Sequence, residues 1–176
     1  AFAADERARV LVVTGAGEVA FCAGADLKNP TSLMEHELID EAGPMGFARL
    51  DPGKPTIAAI NGYCFAGGGE LAAWCDIRIA ADNAEFGCLS RRWGVPYTDG
   101  GTQRFPRIMG TGNALYLLLT GVRFGAERAF QLVARHEAQQ PGDQPAEEGG
   151  VEDPVRHTPA GEPLEHVVDA LREKGA

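Results

Sequence analysis

In the stretch "FAGGGEL", residues 65–71, three consecutive glycines run straight into one carboxylate, Glu70. Each glycine gives up more backbone freedom on folding than any other residue, so a triplet needs a physical reason. A glycine-rich turn from a strand into a helix leaves unpaired N–H groups at the helix start, backed by the positive end of the dipole. Without Cβ atoms, Gly67 and Gly68 let a ligand oxygen approach the backbone closely. Negative charge developing on that oxygen would be stabilised there, one such donor being worth about 3 kcal/mol of barrier. Glu70, within a turn of these donors, is suited to moving a proton beside the same ligand. Oxyanion donors next to a carboxylate describe enolate chemistry beside a carbonyl group. The bland alternative is a turn built for tight helix packing, with an acid that suits the dipole of its own helix. On "GGGE" alone that structural reading is favoured. A phosphate loop is a weaker reading still, because G-x-x-x-x-G-K-[ST] is absent.

A second glycine cluster competes. "VLVVTGAGEVA" fits a strand followed by G-x-G-x-x-A through Gly15, Gly17 and Ala20, the outline of a dinucleotide fingerprint. That motif needs a helix opening at the second glycine, whereas "FCAGADLKNP" supplies glycine, asparagine and proline there. Cys22, Cys64, Cys75 and Cys88 form no C-x-x-C pair, and His36, His136, His157 and His166 form no ligand pattern. No metal site is expected. The scattered thiols fit a reducing, cytoplasmic setting better than a disulfide frame.

The elements that must position Glu70 follow from patterning. "RVLVVTGAG" predicts a buried strand over 9–14, and "TIAAINGYC" a second one running directly into the "GGGELAAWC" helix. "EVAFCAGADLKNP" reads as a loop, "TSLMEHELIDEA" as a short helix capped by Thr31 or Ser32, and "LDPGKP" as a turn. "DIRIAA" and "AEFGC" predict short strands. "DGGTQRFPRIMG" and "TGNALYLLLTG" predict helices, the first interrupted at Pro106, and "AERAFQLVA" a last core helix. Recurring strand–helix order indicates an α/β fold over residues 1–134. Residues 135–163 contain no Leu, Ile, Phe, Tyr or Trp and are expected to be a disordered linker. Residues 164–174, "LEHVVDALREK", predict a short amphipathic helix.

The 176 residues suit one domain with a real core. Neither a membrane span nor a signal peptide is expected. A net charge of −9 argues against a general nucleic-acid binder but permits an anionic ligand held locally by backbone N–H groups.

Two segments together, "AFCAGADLK" (20–28) and "KPTIAAINGYCFAGGGELAAWCDIRIAADNAEFG" (54–87), followed by "GGTQRFPRIMG" (100–110), closely resemble the enoyl-CoA hydratase/isomerase (crotonase) family. The resemblance covers residues 1–134. It implies a spiral of ββα turns, homotrimeric or hexameric assembly, and an acyl-CoA thioester as substrate with no separate cofactor. It also implies a thioester enolate held by two backbone N–H groups. Ala25 and Gly67 match those oxyanion positions; Ala23, Asp26 and Leu27 match the loop lining the CoA pocket. Gly68 lies beside them, and Lys28 is a further candidate for the CoA phosphates. Glu70 matches the first catalytic glutamate of the hydratases.

Two departures stand out. The family's second glutamate follows the first by twenty residues, and Ser90 stands there. Serine has no useful pKa near neutrality, so it replaces a proton-handling acid poorly. Asp99, in "PYTDGG", falls near where relatives that isomerise double bonds or displace halide place an acid. It is the candidate second acid or base, or else a cap for the following helix. Arg91, Arg92 and Trp93 are read as exposed or subunit-facing, Trp74 and Cys75 as packing, and Asp76 as a structural acid. The family's N-terminal hairpin and helix are expected to be missing, and its C-terminal region replaced after Val133. A non-catalytic acyl-CoA-binding homologue is therefore the alternative reading, and a dinucleotide-binding domain a remote one.

Overall fold

A computed structural model describes residues 2–29 and 42–137. The chain winds through two sheets in turn. Strands β1 (Leu11–Thr14), β3 (Thr56–Ile60) and β5 (Ile77–Ala80) form a parallel sheet in the order β1-β3-β5. Strands β2 (Ala20–Cys22), β4 (Tyr63–Phe65) and β6 (Glu85–Gly87) form a second one, also parallel, closed at its edge by antiparallel β7 (Arg123–Gly125). Each pass thus gives one strand to each sheet, which is the expected ββα spiral. Helix α1 (Gly67–Trp74) follows β4; α2 (Gly101–Met109), α3 (Thr111–Thr120) and α4 (Ala126–Glu137) complete the body.

The corners between sheets explain the glycines at 15 and 62. The expected single strand over 56–64 breaks at Asn61-Gly62, where the chain crosses from one sheet to the other. A Cβ on Gly62 would lie 2.3 Å from the Val19 carbonyl oxygen, and one on Gly15 only 1.8 Å from that of Ala20. The Asn61 amide ties the two corners together, accepting from Gly15 N–H at 3.1 Å and donating to the Gly15 and Gly17 carbonyls at 3.0 and 2.6 Å. Strand β2 occupies the place where a dinucleotide fold would open its helix, and Gly15 is a sheet corner.

Two apolar clusters meet on α1. Its Ala72 packs with Phe21, Ala58, Ile60 and Cys64 between the sheets, while Ala73 packs with Phe105, Ala114, Leu117 and Leu132 of the later helices. Helix α2 runs unbroken through Pro106, contrary to the expected interruption. The proline removes one early N–H bond, and burial of Phe105 beside it favours the continuous helix. The first strand starts at Leu11 rather than Arg9, and β2 lies within the expected loop. Helix α4 extends to Glu137, so the boundary drawn after residue 134 falls inside a helix. The expected helix at 31–42 lies almost wholly outside the described residues. So does the tail from 138 on, including the 164–174 segment.

Candidate active site

The start of α1 is a crowded junction. A Cβ on Gly68 would stand 2.0 Å from the Cys22 carbonyl oxygen, and one on Gly67 would strike the Met45 sulfur at 2.3 Å. Gly24, at φ 87°, presses on the same point: a Cβ there would be 2.9 Å from the Gly67 nitrogen. The loop carrying Ala23, Ala25, Asp26 and Leu27 is thereby laid against the first helical turn. Ala23, Ala25, Asp26 and Leu27 are exposed, and Asp26 folds back to accept the Lys28 N–H at 2.9 Å. Just before the helix, Ala66 adopts φ 51° and ψ −122°, the one described non-glycine residue with positive φ. Such a conformation costs about 1–3 kcal/mol, and here it sets the direction of the Gly67 N–H. The Ala66 N–H is anchored on the Gly87 carbonyl at 3.0 Å. Gly67 N–H belongs to the first-turn donors that the helix itself cannot satisfy.

Glu70 lies one turn further on, 3% exposed. Its Oε1 accepts the N–H groups of Asp99 at 3.0 Å and Gly101 at 2.8 Å, leaving Oε2 outside both bonds. The carboxylate therefore sits at the N-terminal end of α2, a helix other than its own. Burial pushes its pKa up to about 7, opposed by the Gly101 N–H bond and reinforced by the charge of Asp99. A group poised near neutrality can both take and return a proton under ordinary conditions.

Asp99 is buried beside it, 2% exposed, but its carboxylate turns elsewhere. Oδ1 accepts the Met45 N–H at 2.9 Å and Oδ2 the Thr98 hydroxyl at 3.1 Å. It does not cap α2, whose N-cap residue is Gly100. Ser90 is also buried, in a short 3-10 helix, Leu89–Trp93. Near it the Tyr97 hydroxyl is buried with no hydrogen-bond partner among the described residues. Burial, then Cys88, pushes that phenol well above its ordinary range, so it stays neutral.

Arg91, Arg92 and Trp93 are exposed, and Arg92 Nε donates to the Gly121 carbonyl at 3.1 Å, tying the 3-10 helix to the end of α3. Asp76 accepts both Thr56 N–H and its hydroxyl at 2.8 Å, which holds its carboxyl below the ordinary range. That is the structural role expected of it. Cys75 is buried and Trp74 half-buried, its indole N–H donating to the Leu50 carbonyl at 3.0 Å. All four cysteines are free; burial pushes the Cys75 thiol up to about 11, and raises Cys64 and Cys88 as well. Sequence reasoning missed Met45, Asn61, Ala66 and Tyr97. Only the glycines flanking Met45 in "GPMG" hinted at a turn.

The family profile for enoyl-CoA hydratase/isomerase matches residues 1–133. The chain belongs to this family. A crotonyl-CoA hydratase of Syntrophomonas wolfei is 40% identical over 140 residues, covering 78% of this chain and 54% of the relative. A carnitinyl-CoA dehydratase of Escherichia coli K12 is 42% identical over 135 residues, covering 74% and 51%. Among solved structures, an enoyl-CoA hydratase of Mycobacterium marinum superposes with a TM-score of 0.72 at 33% identity, covering 99% of this chain and 60% of that one. One from Bacillus anthracis gives 0.65 at 39% identity, covering 75% and 52%. The fold is that of the enoyl-CoA hydratase/isomerase family. The chain spans about half the length of the curated relatives it matches. No described helix is long and apolar enough to cross a membrane.

Proposed function

We propose that the chain is an acyl-CoA enzyme of enoyl-CoA hydratase/isomerase type, in which Glu70 is the acid/base beside a backbone oxyanion hole. The observation that carries this reading is the buried Glu70 carboxylate, held by two N–H bonds one turn from Gly67 and poised near neutral pH. The thioester oxygen accepts the N–H groups of Gly67 and Ala25, and Gly68 keeps side-chain bulk away. Glu70 removes a proton from carbon conjugated with the thioester; the C–H electron pair passes into the carbonyl, and the oxygen becomes the enolate. Return of the proton completes an isomerisation or an exchange, and addition of water to the conjugated double bond gives hydration.

The developing charge is taken by N–H groups, so this chemistry calls for no metal or redox cofactor; CoA arrives with the substrate. Ala23, Asp26 and Leu27 border its path. Both Asp99 carboxylate oxygens already accept hydrogen bonds, so the proton traffic is assigned to Glu70. Assembly as a homotrimer or hexamer forms part of the proposal, as does a cytoplasmic location. Ser90, in place of a second acid, favours one other reading, an acyl-CoA-binding protein without turnover.

Incubation with crotonyl-CoA in heavy water, read by mass spectrometry, tests the enzyme. Hydrated or deuterated product that disappears in Glu70→Gln is the expected result. Saturable binding without either product would leave the binding protein.

A further inference from the structure

The segment before β3 folds into two successive turns. Gly46 N–H bonds the Gly43 carbonyl at 2.9 Å, and Leu50 N–H the Phe47 carbonyl at 2.9 Å. The first turn leaves the N–H of Met45 unused by its own hydrogen bond. Asp99 takes that N–H at 2.9 Å, reaching across 54 residues of sequence. Arg104 reinforces the link from α2: Nη1 donates to the Asp99 carbonyl at 2.8 Å and Nη2 to the Ala48 carbonyl at 2.7 Å. Gly43 packs too closely for any side chain, since a Cβ there would meet that of buried Ala48 at 2.9 Å. The turn is thus fastened at Met45 onto Asp99, whose own N–H holds Glu70, and at Ala48 onto Arg104, with Gly43 packed against Ala48. Its outcome is the placement of the Met45 side chain, whose sulfur covers the Cβ side of Gly67.

We propose that Asp99 is a positioning residue that fixes the Gly43–Gly46 turn, so that Met45 caps Gly67 and limits the bulk an acyl thioester can carry at its α-carbon. This rests on the oxyanion reading of Gly67. A thioester oxygen at Gly67 N–H brings the α-carbon one bond beyond the carbonyl carbon, next to whatever covers the glycine. Met45 is that cover. A thioether there packs against a straight acyl chain and excludes water, while a methyl branch at the α-carbon competes for its space. Truncating the side chain opens that space, and one methyl group in an apolar pocket changes discrimination about tenfold or more.

The test uses two saturated thioesters that need no turnover, butyryl-CoA and isobutyryl-CoA, titrated calorimetrically against wild type, Met45→Ala, Asp99→Asn and Asp99→Ala. Wild type is expected to favour butyryl-CoA, and Met45→Ala to shift the ratio of the two affinities about tenfold toward the branched ligand. Asp99→Asn retains an acceptor for the Met45 N–H and is expected to keep the wild-type ratio; Asp99→Ala is expected to move it toward that of Met45→Ala. Amide hydrogen exchange in residues 43–48 provides a second readout, faster in Asp99→Ala and unchanged in Asp99→Asn. Should Asp99→Ala fail to fold, the Met45→Ala ratio decides the specificity role, and exchange in Asp99→Ser, whose side chain is too short to hold the Met45 N–H, decides the positioning role. An unchanged ratio in Met45→Ala, with butyryl-CoA bound, overturns the specificity role. Exchange in residues 43–48 that stays at the wild-type rate in Asp99→Ala overturns the positioning role. If wild type binds neither thioester, the acyl-CoA reading itself falls and takes the specificity role with it, while the exchange rates still judge the clamp.

Discussion

Glu70 holds a proton more tightly than a carboxylate in water, with a pKa raised from 4.5 to about 7, because burial disfavours its charge more than two N–H bonds favour it. The folded state therefore binds the proton more tightly than the unfolded chain does, and between those two values it carries more protons. Stability from this group is complete below about pH 4.5 and is lost as pH rises through about 7, a change on the order of 3 kcal/mol. Glu70→Gln keeps an oxygen that can accept the Asp99 and Gly101 N–H groups and cannot titrate. Denaturant unfolding of both proteins from pH 4.5 to 8 is expected to show the difference between them falling across that window. Parallel curves would mean that the carboxylate is solvated more fully than its 3% exposure indicates. Catalysis should run the opposite way, kcat/KM rising toward pH 7 as the base form appears. The proposed role of Glu70 was suggested by the family resemblance, since "GGGE" alone favours a packing turn. Its true partners, Asp99 and Gly101, lie 29 and 31 residues away, and no local pattern reports them.

At the scale of elements, the three glycines separate. Gly67 and Gly68 have no room for a Cβ, but one on Gly69 would stand 3.5 Å from Phe105 Cζ, an ordinary contact. Gly68→Ala is expected to cost about 3 kcal/mol, because the obstacle is the backbone carbonyl of Cys22 and cannot swing aside. Gly69→Ala, inside α1, is expected to stabilise by about 0.5–1 kcal/mol through helix propensity. Thermal melts of the two variants check both signs, and equal destabilisation would refute the distinction. Hydrophobic runs made β1, β3 and the four helices readable. Strands β2 and β7, three residues each, are too short to show an alternation and exist because neighbouring strands pair with them. The corner at Asn61-Gly62 was hidden for a related reason: its apolar flanks read as one strand until the Gly15–Gly17 turn supplies the amide's partners.

At the scale of the whole molecule, an outward face of α3 is left uncovered by the described residues. Leu115, Tyr116 and Leu119 are 49%, 54% and 65% exposed, and at these spacings they share one side of the helix. Trp93, 71% exposed, belongs to the 3-10 helix that contacts α3. Single exposed apolar residues are common, but a group of large ones on adjoining elements marks an interaction surface. On the proposed assembly, the occupant would be another copy of the chain, meeting a different patch on its neighbour so that three such contacts close. Each protomer carries a net charge of −9, so assembly works against mutual repulsion. That repulsion is screened over about 10 Å at 0.1 M salt, and the associated fraction should rise as salt is added. Sedimentation equilibrium is expected to give three or six times the 18.6 kDa of the chain, and Leu119→Glu to drive it toward the single-chain mass while leaving the far-ultraviolet circular dichroism intact. A wild-type protein that stays at one chain mass through the salt series would reject the assembly. An assembly unmoved by Leu119→Glu would place the contact on another face.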